Sequence, residues 1–259
     1  MIEVVDLYKR FGPHEVMKGL NLKIETGETL VVVGKSGVGK SVLLKHILGL
    51  SQPDSGYVMV DDTNITALKP SKLYSSIKHM GMLFQGAALF DSMNIEENTA
   101  FHLVQHGNPK TGKKYSRGEI KDKVAAALEM VGLEGTQDKM PSDLSGGMRK
   151  RAGLARLIVY HPAYLLYDEP TTGLDPVTSM QINELIVKTQ RELKATSIVV
   201  THDIVSALVV GDRLALVEDG KIVHLDVPEV FIEINHPTIK ALREIVGTDP
   251  AEFRRKKYE

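Results

Sequence analysis

The stretch "GKSGVGKS", Gly34 to Ser41, constrains this chain more than any other. It matches G-x-x-x-x-G-K-S/T in full, and its surroundings have the right character. Before it, "TLVVVG" (Thr29 to Gly34) is a short continuous apolar run rich in valine, which reads as a strand covered on both faces. After it, "KSVLLKHILGL" places Val42, Leu43, His46, Ile47 and Leu50 near helical spacing, until Gly49 and "SQPDSG" turn the chain. Strand, glycine loop and helix in that order form a phosphate-binding unit. Its glycines let main-chain N–H groups turn inward around phosphates, and the helix opening near Gly39 adds its positive dipole end. Gly34, Lys35, Ser36, Gly37, Val38, Gly39, Lys40 and Ser41 are thus predicted to bind a nucleotide, with Lys40 on the β- and γ-phosphates and Ser41 on Mg²⁺.

Further strands belong to the same sheet. "YLLYDE" (Tyr164 to Glu169) and "TSIVVTHD" (Thr196 to Asp203) read as buried strands, joined by a helix over "PVTSMQINELIVKTQRELK" with Ile182, Leu185, Ile186 and Leu193 near one face. Such strand–helix–strand repetition implies a parallel α/β sheet. "RLALVEDGKIVHL" reads as a hairpin turning at Asp219-Gly220. From about Gly86 to Tyr160 the patterns are helical, with "HGNPKTGKKYSRG" as an exposed connection and "EIKDKVAAALEMVGL" as a helix. Asp168 and Glu169 close a strand, where alternation predicts that they point differently. Asp168 then suits Mg²⁺, and Glu169 suits polarising an attacking water. His202 and Gln85 also end apolar runs, at the strand edge where α/β sheets take ligands. His202 can sense a γ-phosphate; Gln85 can touch Mg²⁺ or the lytic water.

The 259 residues carry 32 Lys plus Arg and 33 Asp plus Glu, a net charge of -1 that argues against a nucleic-acid partner. Without cysteine the chain has neither disulfides nor thiolate zinc sites. Its first residues lack the apolar core of a secretory signal, and no uncharged run approaches the ~18 apolar residues of a spanning helix. Work at a membrane therefore needs another chain to hold this one there.

One segment remains. "DLSGGMRKRAGLAR" (Asp143 to Arg156) is a second glycine turn opening onto a helix, a second candidate phosphate site. Taken in order, Phe11, "GKSGVGKS", Gln85, "LSGGM", "YLLYDEP", "TGLD" and His202 closely resemble the ATP-binding subunit of ABC transporters, from about Ile2 to Val230. That resemblance implies one ABC ATPase domain over 1–259. Its parts are an α/β nucleotide-binding core from 1–85 and 160–230 with an N-terminal antiparallel β region and a mainly parallel sheet, an inserted helical subdomain over 86–159, and a C-terminal helical extension with a basic tail over 231–259. It also implies a head-to-tail homodimer, in which Leu144, Ser145, Gly146, Gly147 and Met148 of one copy meet ATP on the phosphate loop of the other. Phe11 resembles the aromatic that stacks on adenine, Asp175 the residue that communicates across the dimer, Glu169 the general base and His202 the switch histidine. Met148 departs from the glutamine that many members carry.

A narrower likeness lies in "LFQGAALFDSMNIEENTAFHL", Leu83 to Leu103, which is similar to the ATPase of Mla phospholipid-transport systems. It implies a peripheral protein on the cytoplasmic face of a bacterial inner membrane. Its partners would be an MlaE-like permease, an MCE-domain lipid-binding protein reached through that permease, and room for a small regulatory subunit. Leu89, Phe90 and Met93 would face the permease, or serve as core of the helical subdomain. An importer of a small solute, such as an amino acid or ion, is the alternative. A DNA-repair ATPase would need a long coiled coil, a ribosomal one two cassettes, and a small-molecule kinase no "LSGGM".

Overall fold

The computed structural model describes residues 1–108 and 111–240; the basic "RRKK" run lies outside the described residues. Two antiparallel strands, β1 (Ile2–Phe11) and β2 (His14–Ile24), precede β3 (Thr29–Val33). The glycine loop follows, then α1 (Lys40–Ile47), β4 (Ser55–Val60), β5 (Thr63–Asn64), α2 (Pro70–Ile77) and β6 (Met80–Leu83). Three helices come next: α3 (Ile95–His106), α4 (Arg117–Met130) and α5 (Gly146–Ile158). The chain then returns through β7 (Tyr164–Asp168), α6 (Pro176–Leu193), β8 (Thr196–Thr201), α7 (Ile204–Val210), the hairpin β9 (Arg213–Glu218) and β10 (Lys221–Asp226), and α8 (Pro228–Phe231).

The strands form two sheets, one in the order β2-β1-β4-β5 and antiparallel, the other β10-β9-β3-β8-β7-β6. In the second, β9, β3, β8, β7 and β6 are parallel and only β10 runs against its neighbour. Why β3 is apolar from Leu30 to Val33 follows from what covers it. Leu30 and Val32 face a core shared with the antiparallel sheet and α1, while Val31 and Val33 face a core shared with the helices. Alternate residues serve opposite faces, so neither parity can be polar. α1 ends at Ile47, and Gly49 at φ +64 turns the chain before Leu50, which is 63% exposed and takes no part in the helix's apolar face.

Local chemistry sets the helix starts. Asn94 caps α3 and Ser116 caps α4, each accepting from the N–H three residues on while Glu97 and Glu119 reach back to the cap N–H. On α3, His102 stacks on Tyr160, ring centroids 3.8 Å apart at 17°. Burial pulls its pKa down to about 4, with His106 pushing the same way. An unfolded histidine titrates near ~6.5. Between those values the unfolded chain holds a proton that the folded chain does not, so this site loses stability as pH falls through that window. The melting temperature should drop from pH 7 to 4.5, and His102→Phe, which keeps the stacking, should give a shallower drop in thermal melts across that range.

Candidate functional site

Sheet order places the site before any side chain does. β3, β8, β7 and β6 are successive neighbours, and register pairs Val33 with Thr201, Val200 with Asp168, and Tyr167 with Leu83. Whatever follows their carboxyl ends must fall in a row: the glycine loop, His202, Glu169 and Gln85. Ser36, Gly37, Gly39, Lys40, Ser41, Gln85, Glu169, Thr172 and His202 line one cleft of about 420 Å³ at this edge, the usual ligand edge of an open parallel sheet.

Gly39 caps α1 at φ +101, and a Cβ there would lie 2.5 Å from Cγ1 of Val16 on β2, so only glycine fits. Lys40 is 5% exposed, and its ammonium donates to the carbonyls of Gly34 at 2.7 Å and Lys35 at 3.1 Å. The loop thus closes over its own cation, with Lys35 and Ser36 exposed and Val38 packed on the core. Ser41 Oγ donates to Asp168 Oδ1 at 2.8 Å.

Strand alternation is not what separates Asp168 from Glu169. β7 ends at Asp168, and Glu169 turns into the left-handed region at φ +48 while its N–H still reaches Val200 O at 2.9 Å. Both its carboxylate oxygens are engaged. Oε1 lies 3.3 Å from Lys40 Nζ. Oε2 accepts from His202 Nδ1 at 2.8 Å, Thr172 Oγ1 at 3.2 Å and the His202 N–H at 3.3 Å. An ionised carboxylate can only accept, so His202 carries a proton on Nδ1.

The "LSGGM" residues take no part in this cleft's lining. Leu144 is buried; Ser145 is exposed and caps α5, accepting the Met148 N–H at 3.3 Å; Gly146 is half-buried. Gly147 is buried against the first turn of α6, where a Cβ would meet Thr178 Cγ2 at 2.5 Å. Met148 packs on the helical core. Asp175 caps α6, and hydrogen bonds from the Thr178 hydroxyl (2.5 Å) and N–H (3.0 Å) hold its carboxyl below the usual carboxylate range. Phe11 is 50% exposed, with Lys9 Nζ 5.4 Å from its ring centre. Leu89 packs on the core, Phe90 lies exposed under the Arg156 guanidinium at 4.3 Å, and Met93 lines a groove with Glu96, Phe101 and Val104.

The ABC transporter family model matches residues 17–172. The chain is 41% identical, over 92% of its length and 67% of the relative's, to a probable ribonucleotide transport ATP-binding protein of Mycobacterium leprae. The chain belongs to the ABC transporter family. It is also 38% identical, over 98% of its length and 94% of the relative's, to the intermembrane phospholipid transport system ATP-binding protein of Haemophilus influenzae. A methionine import ATP-binding protein of Rhodococcus jostii is 39% identical over 91% of this chain and 68% of its own. A dimeric ATP-binding cassette solved in a post-hydrolysis state with ADP and Pi superposes with TM-score 0.78 at 30% identity, over 88% of this chain and 99% of that one. The chain spans about two thirds of the length of the mycobacterial relatives.

As a member of this family the chain is an ATP-hydrolysing enzyme that uses ATP and Mg²⁺. The residues present fit the ion: a serine hydroxyl and a carboxylate oxygen 2.8 Å apart are hard oxygen donors of the kind Mg²⁺ takes. Two lining or supporting residues leave no clear mark in the sequence. Thr172 reads as one threonine of a "TTG" turn, and Lys150 as the middle of three consecutive basic residues. In the fold Lys150 is buried, donating to the carbonyl of Gln85 and, at 3.4 Å, to that of Glu169. Burial pulls its ammonium below the usual lysine range, while Asp168 and Glu169 pull it back up.

The contact at Gly147 generates a test within the family's signature. Gly147→Ala should cost about 1–3 kcal/mol by overpacking. Thr178→Ser removes the offending methyl and keeps the hydroxyl that serves Asp175, so the double variant should recover much of that loss in urea unfolding, a non-additive pair.

Proposed function

We propose that the cleft at the carboxyl edge of the parallel sheet hydrolyses ATP with the residues that line it in the roles their chemistry suits. The observation that carries this is the convergence of Lys40, Ser41, Gln85, Asp168, Glu169 and His202 from four adjacent strand ends. The loop from Gly34 to Gly39 and the start of α1 present main-chain donors to the phosphates, and Lys40 adds a positive charge on the β- and γ-phosphates. Ser41 and Asp168 would hold Mg²⁺, with Gln85 beside them; when bound, the ion neutralises charge on the phosphate oxygens. Glu169 orients the attacking water and takes up its proton, and His202, bonded to the same carboxylate, keeps that carboxylate in place and reports on the γ-phosphate. Phe11, being exposed, offers its ring face to adenine.

A single copy leaves Leu144 to Met148 without a role in this cleft. Two copies packed head to tail supply one: Ser145, Gly146 and Gly147 at the start of α5 close over the γ-phosphate held by the partner, and exposed Asp175 meets the partner at the same interface. The dimeric cassette with ADP and Pi supports this arrangement. Residues 1–85 and 160–230 then act as the nucleotide-binding core, and 86–159 as the subdomain that carries the signature.

The cargo we infer is phospholipid, moved between the two membranes of a Gram-negative envelope. The near end-to-end match to the Haemophilus protein and the stretch from Leu83 to Leu103 support it. The chain would then sit on the cytoplasmic face of the inner membrane, against an MlaE-like permease that leads to an MCE-domain protein. Leu89, Phe90 and Met93 would lie toward the permease. No helix among the described residues is long and apolar enough to cross a membrane, so attachment would come through that partner. The methionine-import and ribonucleotide-transport relatives favour a second reading, an importer of a small solute.

Glu169→Gln should bind ATP with near-normal affinity, cut turnover by at least about a hundredfold and accumulate as a dimer with ATP and Mg²⁺ in light scattering. A variant that turns over normally would remove Glu169 from the mechanism. Lys40→Ala should abolish productive ATP binding. Ser145→Arg should stop turnover yet leave nucleotide binding to the glycine loop intact; loss of all binding would sink the trans assignment. For the cargo, tagged chain is purified from its own gently extracted membranes and its companions identified by mass spectrometry. A permease with an MCE-domain protein and phospholipid is expected; a permease with a solute-binding protein would instead establish the importer.

A further inference from the structure

Lysine is among the residues least often buried, because its ammonium needs acceptors wherever water is excluded. Lys150 stands in the middle of α5 and is 6% exposed. Its two acceptors are main-chain carbonyls, of Gln85 and of Glu169. These belong to the segments that leave β6 and β7, two of the strand ends that build the cleft.

The Gln85 segment has an unusual shape. Ala87 and Ala88 both occupy the left-handed region, at φ +62 and +51, a conformation that a Cβ disfavours. α5 grips this segment at three points. Lys150 donates at Gln85, Arg156 donates to the carbonyl of Ala88, and between them Gly153 lets Ala87 approach so closely that a Cβ would lie 3.0 Å from its carbonyl oxygen. α5 is also the helix that Ser145 caps. Charge points the same way: among the described residues, Lys40 and Lys150 are the buried ammoniums that stand against the buried carboxylates Asp168 and Glu169.

We propose that Lys150 is a positioning residue for hydrolysis: its ammonium fixes the backbone at Gln85 and at Glu169 to the signature helix, so that the placement of α5 sets the geometry around the attacking water. Lys150 touches none of the reacting atoms; it acts through the two residues whose carbonyls it holds. The proposal rests on the reading of the cleft as the ATPase site.

The test uses the full chain with Lys150→Met, which keeps the stem and removes the donors, and Lys150→Gln, whose amide can serve one carbonyl. Steady-state ATPase, affinity for a fluorescent ATP analogue and hydrogen exchange by mass spectrometry are measured on each. Lys150→Met should lower kcat at least tenfold and leave KM and analogue affinity within threefold. Exchange should quicken across 84–88 and 169–172 but not across 40–47, and Lys150→Gln should fall between Met and the parent. Parental kcat in folded Lys150→Met overturns the proposal. So does a loss shared equally by kcat and KM with faster exchange everywhere, and so does failure of both variants to fold, which assigns Lys150 to stability alone. Glu169→Gln run in parallel separates the two levels. If it hydrolyses ATP normally, the reading of the cleft has failed; if it is inactive while Lys150→Met is normal, only the role of Lys150 has.

Discussion

Lys40 and Glu169 form a buried ion pair, 3.3 Å between charged atoms, that joins the loop after β3 to the turn after β7 across the strand between them. Two charges withdrawn from water cost more than their attraction returns unless the remaining donors and acceptors are also satisfied. Here they are. The ammonium reaches two carbonyls of its own loop, and the carboxylate accepts from His202 and Thr172. The cleft is therefore held by a closed set of polar contacts, and each member fixes the position of another. The pair thereby ties the turn after β7 to the loop after β3, two of the four strand ends that build the cleft.

That closure needs Glu169 where a straight strand would not put it. Continuing β7 by one residue would send consecutive side chains to opposite faces of the sheet. The left-handed turn at φ +48 instead keeps Asp168 with Ser41 and brings the Glu169 carboxylate to Lys40 and His202. Backbone strain of this kind persists only where surrounding contacts over-determine it. The contacts that do so are the N–H bond to Val200 O, those of Lys40, His202 and Thr172 with its carboxylate, and that of Lys150 with its carbonyl.

What the sequence made legible follows from how each element is covered. β3, β7 and β8 are buried on both faces, so their continuous apolar runs announce them, and their carboxyl ends locate Lys40, Asp168, Glu169 and His202. The hairpin turn at Asp219-Gly220 is equally plain, both residues having positive φ. α2 leaves only a faint mark: its core face is Leu73 and Ile77, one turn apart and half-buried, and a single i, i+4 pair in eight residues is too short a repeat to read. Lys150 is illegible for a different reason. Its neighbours Arg149 and Arg151 carry the same charge in the same run, and burial, which depends on the packing of α5 against strands distant in sequence, picks one of the three. The turn at Glu169 is hidden likewise, since nothing in "YLLYDE" reports a change of φ.

The signature shows how one short motif answers to two demands. Gly147 has to be glycine for a reason inside its own chain, the approach of Thr178 at the start of α6. Met148 departs from the glutamine common in the family, and its packing on the helical core gives an apolar side chain something to do there. Ser145 differs from both. Its hydroxyl caps α5, a task that aspartate or asparagine performs as well, and its side chain is otherwise in solvent. Capping alone would thus allow a carboxylate at this position. A serine adds no negative charge to a helix N-terminus, and that is what a surface meant to receive a partner's phosphate would require.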